Sequence, residues 1–490
     1  MPAKRPNVLL IFTDQQRFDT IAALGNPVIK TPNLDRLVRG GVAFTSAYSP
    51  SPICVSARCS MVHGQYPSRT GCYENDAFPP DGRPSLMSAL TAAGYRTHGI
   101  GKMHFQPYWQ GLRGFQDRQQ QEEMAPPRHD DYVRFTHEQG FSHITNSQGA
   151  RGEMYYIPQV SQLPARLHPT QWIGDRTVDF IRRQAGAEQP WFLFSSYMHP
   201  HPPFSPPAPW HKLYRAAMMP LPRVPQDCDS LLTYISRWQN RLKYRDRGID
   251  LNLVRTMKAY YYACISFIDF QVGRTLDVLE ATGQADDTLI IFTSDHGEML
   301  GDYNCFGKRC MLDASARVCM IAAMKGRFEG GRTCGAAASL VDVAPTILAA
   351  TGGSLGVEPD GIDLADLMGD PARRDMVFAQ FSQKGLATYM VVSDRWKYFY
   401  SAPDNREFLF DRVRDPEETS NRAGLAFCRE PQKMMKDALI GFLKRMGEMA
   451  ALDGDGWKVY PRLELDRNPD AGLAIQDSGW VDTSIPGYTD

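Results

Sequence analysis

The chain is 490 residues long, 43% hydrophobic and 11% aromatic, enough to bury a large core and to build roughly two to three domains. Lys plus Arg (54) nearly balance Asp plus Glu (55), a net charge of -1, so no overall field gathers nucleic acid or an anionic membrane. No run reaches the roughly 18 apolar residues of a membrane span, and the apolar run after the opening MPAKRPN is too short for a signal-peptide core; the expected compartment is the cytoplasm, with the ten cysteines reduced rather than cross-linked.

In chain order, Pro6 to Asp14 (PNVLLIFTD) is a continuous apolar run ending in a carboxylate. It reads as a buried parallel strand with Asp14 at its carboxyl end, where ligands bind in open α/β sheets. Leu34, Leu37 and Val38 follow helical spacing up to Gly40-Gly41, and Val42 to Phe44 reads as a short strand. In Ser49 to Gly71, Cys54 stands four residues before Arg58, and the segment after it is helix-compatible as far as Val62. Cys54 is expected at or near a helix N-terminus, where free N–H groups favour a nucleophile or bound anion; a cysteine that merely packs shows the same local pattern.

Leu86, Leu90 and Ala93 mark a helix closed by Gly94, and Tyr95 to Gly99 a strand leading into Gly101-Lys102-Met103-His104. On an extended segment Lys102 and His104 face one way. From Phe105 to Gln171 periodicity is poor, the profile of long active-site loops. Trp172 to Gln184 reads as a helix, Trp191 to Tyr197 as a strand, and the proline-stiffened words after it fix His201 at the strand's end. Ser205 to Gly248 reads as a proline-rich connection with a helical insertion, and Val254 to Val272 as part of a long helix ending near Gly283. Trp109 and Trp210 could stack on a substrate or lie half-buried on the surface.

Asp287 to Asp295 (DTLIIFTSD) repeats the opening pattern and is followed by His296. Two strands thus deliver carboxylates to one sheet edge. A helical turn at Leu312 to Arg317, a strand at Val318 to Met324 and a proline-initiated helix at Val341 to Ala350 follow. The Gly, Pro and Asp content of Gly353 to Arg374 marks a boundary, dividing the chain into a catalytic α/β domain, 1–370, and a small C-terminal α+β domain, 371–490. There, strands at Thr388 to Ser393, Trp396 to Tyr400 and Glu407 to Asp411 and a helix at Pro431 to Met449 suggest an antiparallel sheet with a helix against it. The stretch from Tyr460 reads as surface coil.

Asp14, Gln15, Asp295 and His296 supply two carboxylates, an amide and an imidazole at strand ends. This donor set suits a hard cation such as Ca²⁺, Mg²⁺ or Mn²⁺, one imidazole being compatible with Mn²⁺, whereas zinc prefers more nitrogen or sulfur. Lys102, Lys308 and Arg58 are the cations that could hold a tetrahedral anion beside that ion, and His104 and His201 could move protons.

These segments, with Gly64-Gln65-Tyr66-Pro67-Ser68-Arg69-Thr70-Gly71, Pro200-His201-Pro202-Pro203-Phe204, Ser294-Asp295-His296-Gly297-Glu298, Phe306-Gly307-Lys308 and Asp415-Pro416-Glu417-Glu418, occur in an order that resembles the formylglycine sulfatases of the alkaline-phosphatase superfamily. The resemblance implies a large mixed, mostly parallel sheet flanked by helices, with a smaller C-terminal antiparallel-sheet-plus-helix domain. It implies a formylglycine made from Cys54 by a formylglycine-generating or other sulfatase-maturing enzyme, and attack by its hydrate on the sulfur of a small or saccharide sulfate ester. Carried over by position, Asp14, Gln15, Asp295, His296 and the residue at Cys54 bind the metal; Arg58 holds the modified residue; Lys102 and Lys308 bind sulfate oxygens. His104 assists the hydrate, and His201 serves as leaving-group acid or sulfate ligand. Two departures stand out: Ser56 replaces the proline of the family's modification signal, and Gln15 stands where many sulfatases have an aspartate. The second resembles the phosphonate monoester and phosphodiester hydrolase branch, an alternative on the same fold. A non-catalytic ligand-binding protein is the alternative if Cys54 stays a thiol.

Overall fold

A computed structural model of the chain describes residues 5–75, 78–79, 82–105, 107, 110–123, 129–151, 155–243 and 250–465. Eight strands form one sheet: β1 (Asn7–Asp14), β2 (Val42–Tyr48), β3 (Arg96–Gly101), β4 (Asp117–Gln120), β5 (Trp191–Pro200), β6 (Thr288–Ser294), β7 (Met320–Ala323) and β8 (Arg332–Ser339). Their spatial order is β4-β3-β5-β1-β6-β7-β2-β8. All run the same way except β7, antiparallel to β6 and β2.

The unbroken apolar run at the start of the chain follows from the central place of β1, which is covered on both faces. Val8, Leu10 and Phe12 pack with Val55, Met61, Leu86, Leu90 and Ile347 on one side. Leu9 and Ile11 pack with Leu34, Trp172, Ile173, Ile268 and Val272 on the other. All five residues are at most 1% exposed, a burial that stabilises the fold by roughly 1.5–3 kcal/mol for each large side chain.

A second, antiparallel sheet has the order β12-β11-β10-β9, from β9 (Val377–Phe381), β10 (Thr388–Val392), β11 (Trp396–Ser401) and β12 (Arg406–Asp411). Its strands alternate two apolar faces. Tyr389, Val391, Tyr398 and Leu409 meet Met435, Leu439 and Leu443 of the Arg429–Met446 helix. Met390, Val392, Phe399 and Phe408 face Met299, Met311 and Leu312, which belong to the loops beyond β6. A buried ion cluster ties the same two regions: Lys397 of β11 reaches Asp313 at 2.5 Å and Glu418 at 2.6 Å.

The structure departs from the sequence expectations in several places. The segment expected as loops contains β4 and the helix Asp131–Glu138. Strands β8 and β9 were not foreseen. The Lys102–His104 segment is not extended, because His104 has φ 59. Trp210 stacks on Phe267 with ring centroids 4.7 Å apart, while Trp109 lies outside the described residues. Residues 460–465 carry neither helix nor strand, and the coil expected beyond them also lies outside the described residues. None of the ten cysteines forms a disulfide, and all are buried.

Candidate active site

Four neighbouring parallel strands end at one place. The order β3-β5-β1-β6 delivers Lys102, His201, Asp14 with Gln15, and Asp295 with His296, each at or just past a carboxyl end. Gly101 turns β3 into Lys102: its φ is +88, and a Cβ there would stand 2.0 Å from Ser196 O, so only glycine fits. Cys54 arrives from the other side, as the first residue of the helix Cys54–His63, whose ten residues are all buried. Asn75 Oδ1 accepts the Val55 N–H at 3.0 Å in that helix's first turn, and Ser56 Oγ donates to Cys72 O at 2.6 Å.

The ligand atoms of Asp14, Cys54, Asp295 and His296 lie within 4.8 Å of one another, the span across an ion with ligands at about 2.3–2.6 Å. Each group is oriented from behind. Asp14 Oδ2 accepts from Lys102 Nζ at 2.8 Å and Arg58 Nη2 at 3.1 Å, leaving Oδ1 toward Cys54 Sγ at 3.7 Å. Asp295 Oδ2 pairs with Arg58 Nε at 3.0 Å. His296 Nδ1 sits 2.9 Å from Gly297 O; donation there leaves the Nε2 lone pair facing Cys54 Sγ at 3.3 Å. Two carboxylate oxygens and an imidazole nitrogen without a competing proton fit a divalent cation. The thiol, a soft ligand, is the member that fits least.

Lys308 Nζ bridges Cys54 Sγ at 2.7 Å and Gln15 Oε1 at 3.0 Å. The Gln15 amide is fixed by Glu298, which accepts from Gln15 Nε2, from Tyr156 OH at 2.8 Å and from the Gly307 N–H. Gln15, His104 and Arg309 all have left-handed backbone conformations, with φ 67, 59 and 66, a clustering of strain common at functional sites.

Electrostatics follow from burial and pairing. Burial would raise the Asp14 pKa, but Lys102, His201, Arg58 and Lys308 outweigh it and hold the carboxyl well below its usual range. Burial first, then Asp14, pushes the Cys54 thiol up to about 11, so the unmodified side chain is a protonated thiol at neutral pH and a weak nucleophile. Burial likewise depresses His104 and His201 well below the ordinary imidazole value, with Lys102 adding for His104 and Glu123 opposing for His201.

All ten candidate residues from the sequence therefore lie at this end of the sheet. Eight form one contact network. His201 joins it through Glu123, whose Oε1 lies 3.7 Å from His201 Nε2 and whose Oε2 accepts from Lys102 Nζ at 2.7 Å. His104 is buried beside it, held by its backbone N–H to Glu122 Oε2 at 3.1 Å. Sequence reasoning missed Glu123, which also pairs with Arg151 at 2.6 Å, and gave Glu298 no role although it stood within the quoted motif.

Comparison with known proteins agrees with this geometry. The sulfatase family model matches residues 6–354, and the model of the N-sulphoglucosamine sulphohydrolase C-terminal region matches 301–445. An arylsulfatase of Clostridium perfringens is 29% identical over 93% of this chain and 98% of its own. A choline-sulfatase of Rhizobium meliloti is 30% identical over 86% of this chain and 83% of its own. Among solved structures, the phosphonate monoester hydrolase of Agrobacterium radiobacter superposes with a TM-score of 0.78 at 25% identity, covering 93% of this chain and all of that one. The chain belongs to the sulfatase family of enzymes, on the fold of the alkaline-phosphatase superfamily.

Proposed function

We propose that this enzyme hydrolyses a small or sugar-type sulfuric ester, using a divalent cation and a formylglycine made from Cys54. The observation that carries the reading is the meeting of Asp14, Cys54, Asp295 and His296 within 4.8 Å, with Lys308 Nζ 2.7 Å from Cys54 Sγ. Asp14, Gln15, Asp295, His296 and the residue at position 54 would hold the ion, Ca²⁺ foremost, which acidifies a nearby hydroxyl and offsets the charge of the ester. In net terms, conversion of Cys54 takes up water, releases hydrogen sulfide and passes two electrons and two protons to an acceptor that the maturing enzyme provides. It replaces the poorly matched sulfur with an aldehyde whose hydrate is an oxygen nucleophile.

Around that nucleophile, Arg58 fixes both carboxylates and so the position of residue 54. Lys102 and Lys308 bind ester oxygens. His104 takes the proton of the hydrate, and His201 meets an ester oxygen or, once protonated, gives its proton to the departing alcohol.

A second reading, a phosphonate monoester or phosphodiester hydrolase, is favoured by Gln15, a neutral amide held beside Lys308. One preparation tests both readings. Mass spectrometry of the Cys54 peptide from the native host is expected to show the loss of sulfur, and an aryl sulfate is expected to turn over faster than a phenyl phosphonate monoester. The reverse order of rates selects the second reading. An intact thiol with no turnover of either ester overturns both, in favour of a ligand-binding protein.

A further inference from the structure

Arg309, next along the chain from Lys308, is 8% exposed. Its backbone N–H donates to Pro52 O at 2.9 Å, which seats it against the turn that opens the Cys54 helix. The side chain makes one hydrogen bond among the described residues, from Nη1 to Gln239 Oε1 at 3.2 Å, and no described carboxylate pairs with it. Gln239 is neutral and already committed to the same loop: its oxygen also accepts the Lys308 N–H at 3.2 Å, and its Nε2 donates to Phe306 O at 2.9 Å and to Lys308 O.

A guanidinium carries five N–H donors, so most of those of Arg309 have no acceptor among the described residues, and they are not among the sealed polar atoms of the interior. Burial depresses its pKa; acting against burial are, in order, Cys54, Glu74, Tyr155 and Tyr156. The charge thus acts on position 54, on the Glu74 carboxyl and on two tyrosines that reach His201 and Gln15. With a single hydrogen bond among the described residues, to a neutral amide, the guanidinium keeps donors for an arriving anion, and a planar fork of N–H groups matches a carboxylate or sulfate.

We propose that Arg309 selects substrates by receiving a second anionic group, a carboxylate or a second sulfate, on the same molecule whose ester is presented to Lys102 and Lys308. The inference rests on the sulfatase reading for the group that is cleaved. Its test does not require turnover.

The Cys54→Ala protein, loaded with Ca²⁺, is titrated calorimetrically with phenyl sulfate, with the 2-, 3- and 4-carboxyphenyl sulfates and with phenylene bis-sulfates. At least one doubly anionic probe is expected to bind roughly 10- to 100-fold tighter than phenyl sulfate, as charge-assisted hydrogen bonds imply, and the better class identifies carboxylate or sulfate as the second group. Adding Arg309→Gln is expected to remove most of that margin, and Arg309→Lys to retain part of it. No margin for any probe, a margin that survives Arg309→Gln, or equal weakening of phenyl sulfate and the dianions would each overturn the proposal, the last by reducing Arg309 to a support for the Lys308 loop. Hydrolysis of phenyl sulfate by the unmutated enzyme is measured beside it and reports on the sulfatase reading alone.

Discussion

Arg58 offers the sharpest test of how this site is held. Its guanidinium is 1% exposed and pairs with Asp295 at 3.0 Å and Asp14 at 3.1 Å. It also donates to Lys102 O at 2.6 Å and Ser196 Oγ at 3.0 Å. At an effective dielectric of about 20 each ion pair is worth roughly 5 kcal/mol before desolvation, and deleting one partner of such a buried set costs about 3–5 kcal/mol because the remaining charges stay behind. Arg58→Met keeps the length and removes the charge, so Asp295 loses its arginine ion pair. With ~2.1 cal/mol/K of unfolding entropy per residue over 490 residues, the melting temperature is expected to fall by about 3–5 °C in a chelator at pH 7.5. Ca²⁺ is expected to raise the melting temperature of the variant more than that of the parent, since the ion then meets two carboxylates with one fewer competing charge. Calorimetry at a fixed scan rate measures both. A chelated variant that melts within 1 °C of the parent, or an equal response to Ca²⁺, refutes this account of the site.

Three further outcomes follow from the same contacts. Lys308→Ala is expected to lower kcat by at least ~10²–10³, with an unchanged circular dichroism spectrum; a rate near that of the parent means the anion is held elsewhere. Glu298→Ala strands the buried donors of Gln15, Tyr156, Leu300 and Gly307; at about 1–3 kcal/mol for each, urea unfolding should show a loss above ~4 kcal/mol, and a loss below ~1 kcal/mol contradicts the assignment. Burial, opposed by Lys397, raises Glu418 from 4.5 to about 7. The folded state therefore holds that proton more tightly, and the resulting stability is present below about pH 4.5 and lost as pH rises through about 7. Glu418→Gln should remove one proton's worth of slope from the urea midpoint across that window, and an unaltered slope refutes it.

Much of the frame was legible because its central strands are unambiguous. β1 and β6 are buried on both faces, so each writes an unbroken apolar run, and each stops at the aspartate that leaves the sheet. The edge strands are different. Among the described strands β4 (DRQQ) pairs only with β3, and β8 (RTCGAAAS) only with β2, so neither needs the apolar or β-branched pattern that marks a strand. His104 was misread because alternation presumes an extended backbone, whereas the N–H groups of Met103 and His104 both turn onto the Glu122 carboxylate. Glu123, Glu298 and Arg309 were illegible for another reason: Glu298 finds its partner Gln15 at the far end of the catalytic sheet's sequence, and no local spacing announces such a pairing.

Around position 54 the two carboxylates Asp14 and Asp295 are met by three cations, Arg58, Lys102 and Lys308, and a divalent ion would make the enclosure more positive still. That favours any tetrahedral monoanion, and a sulfate monoester and a phosphonate monoester are alike in this respect at neutral pH. A charge balance that suits the one suits the other, and this chain is similar both to an arylsulfatase and to a phosphonate monoester hydrolase. Discrimination must then come from groups that meet the rest of the molecule. Arg309, at 8% exposure and hydrogen-bonded among the described residues to one side-chain amide, is the group proposed for that task. An enzyme whose reactive centre accepts many monoanions gains selectivity most directly by demanding a second charge at a fixed place, since a misplaced or missing anion leaves the buried guanidinium unpaired and forfeits the binding energy of the pair.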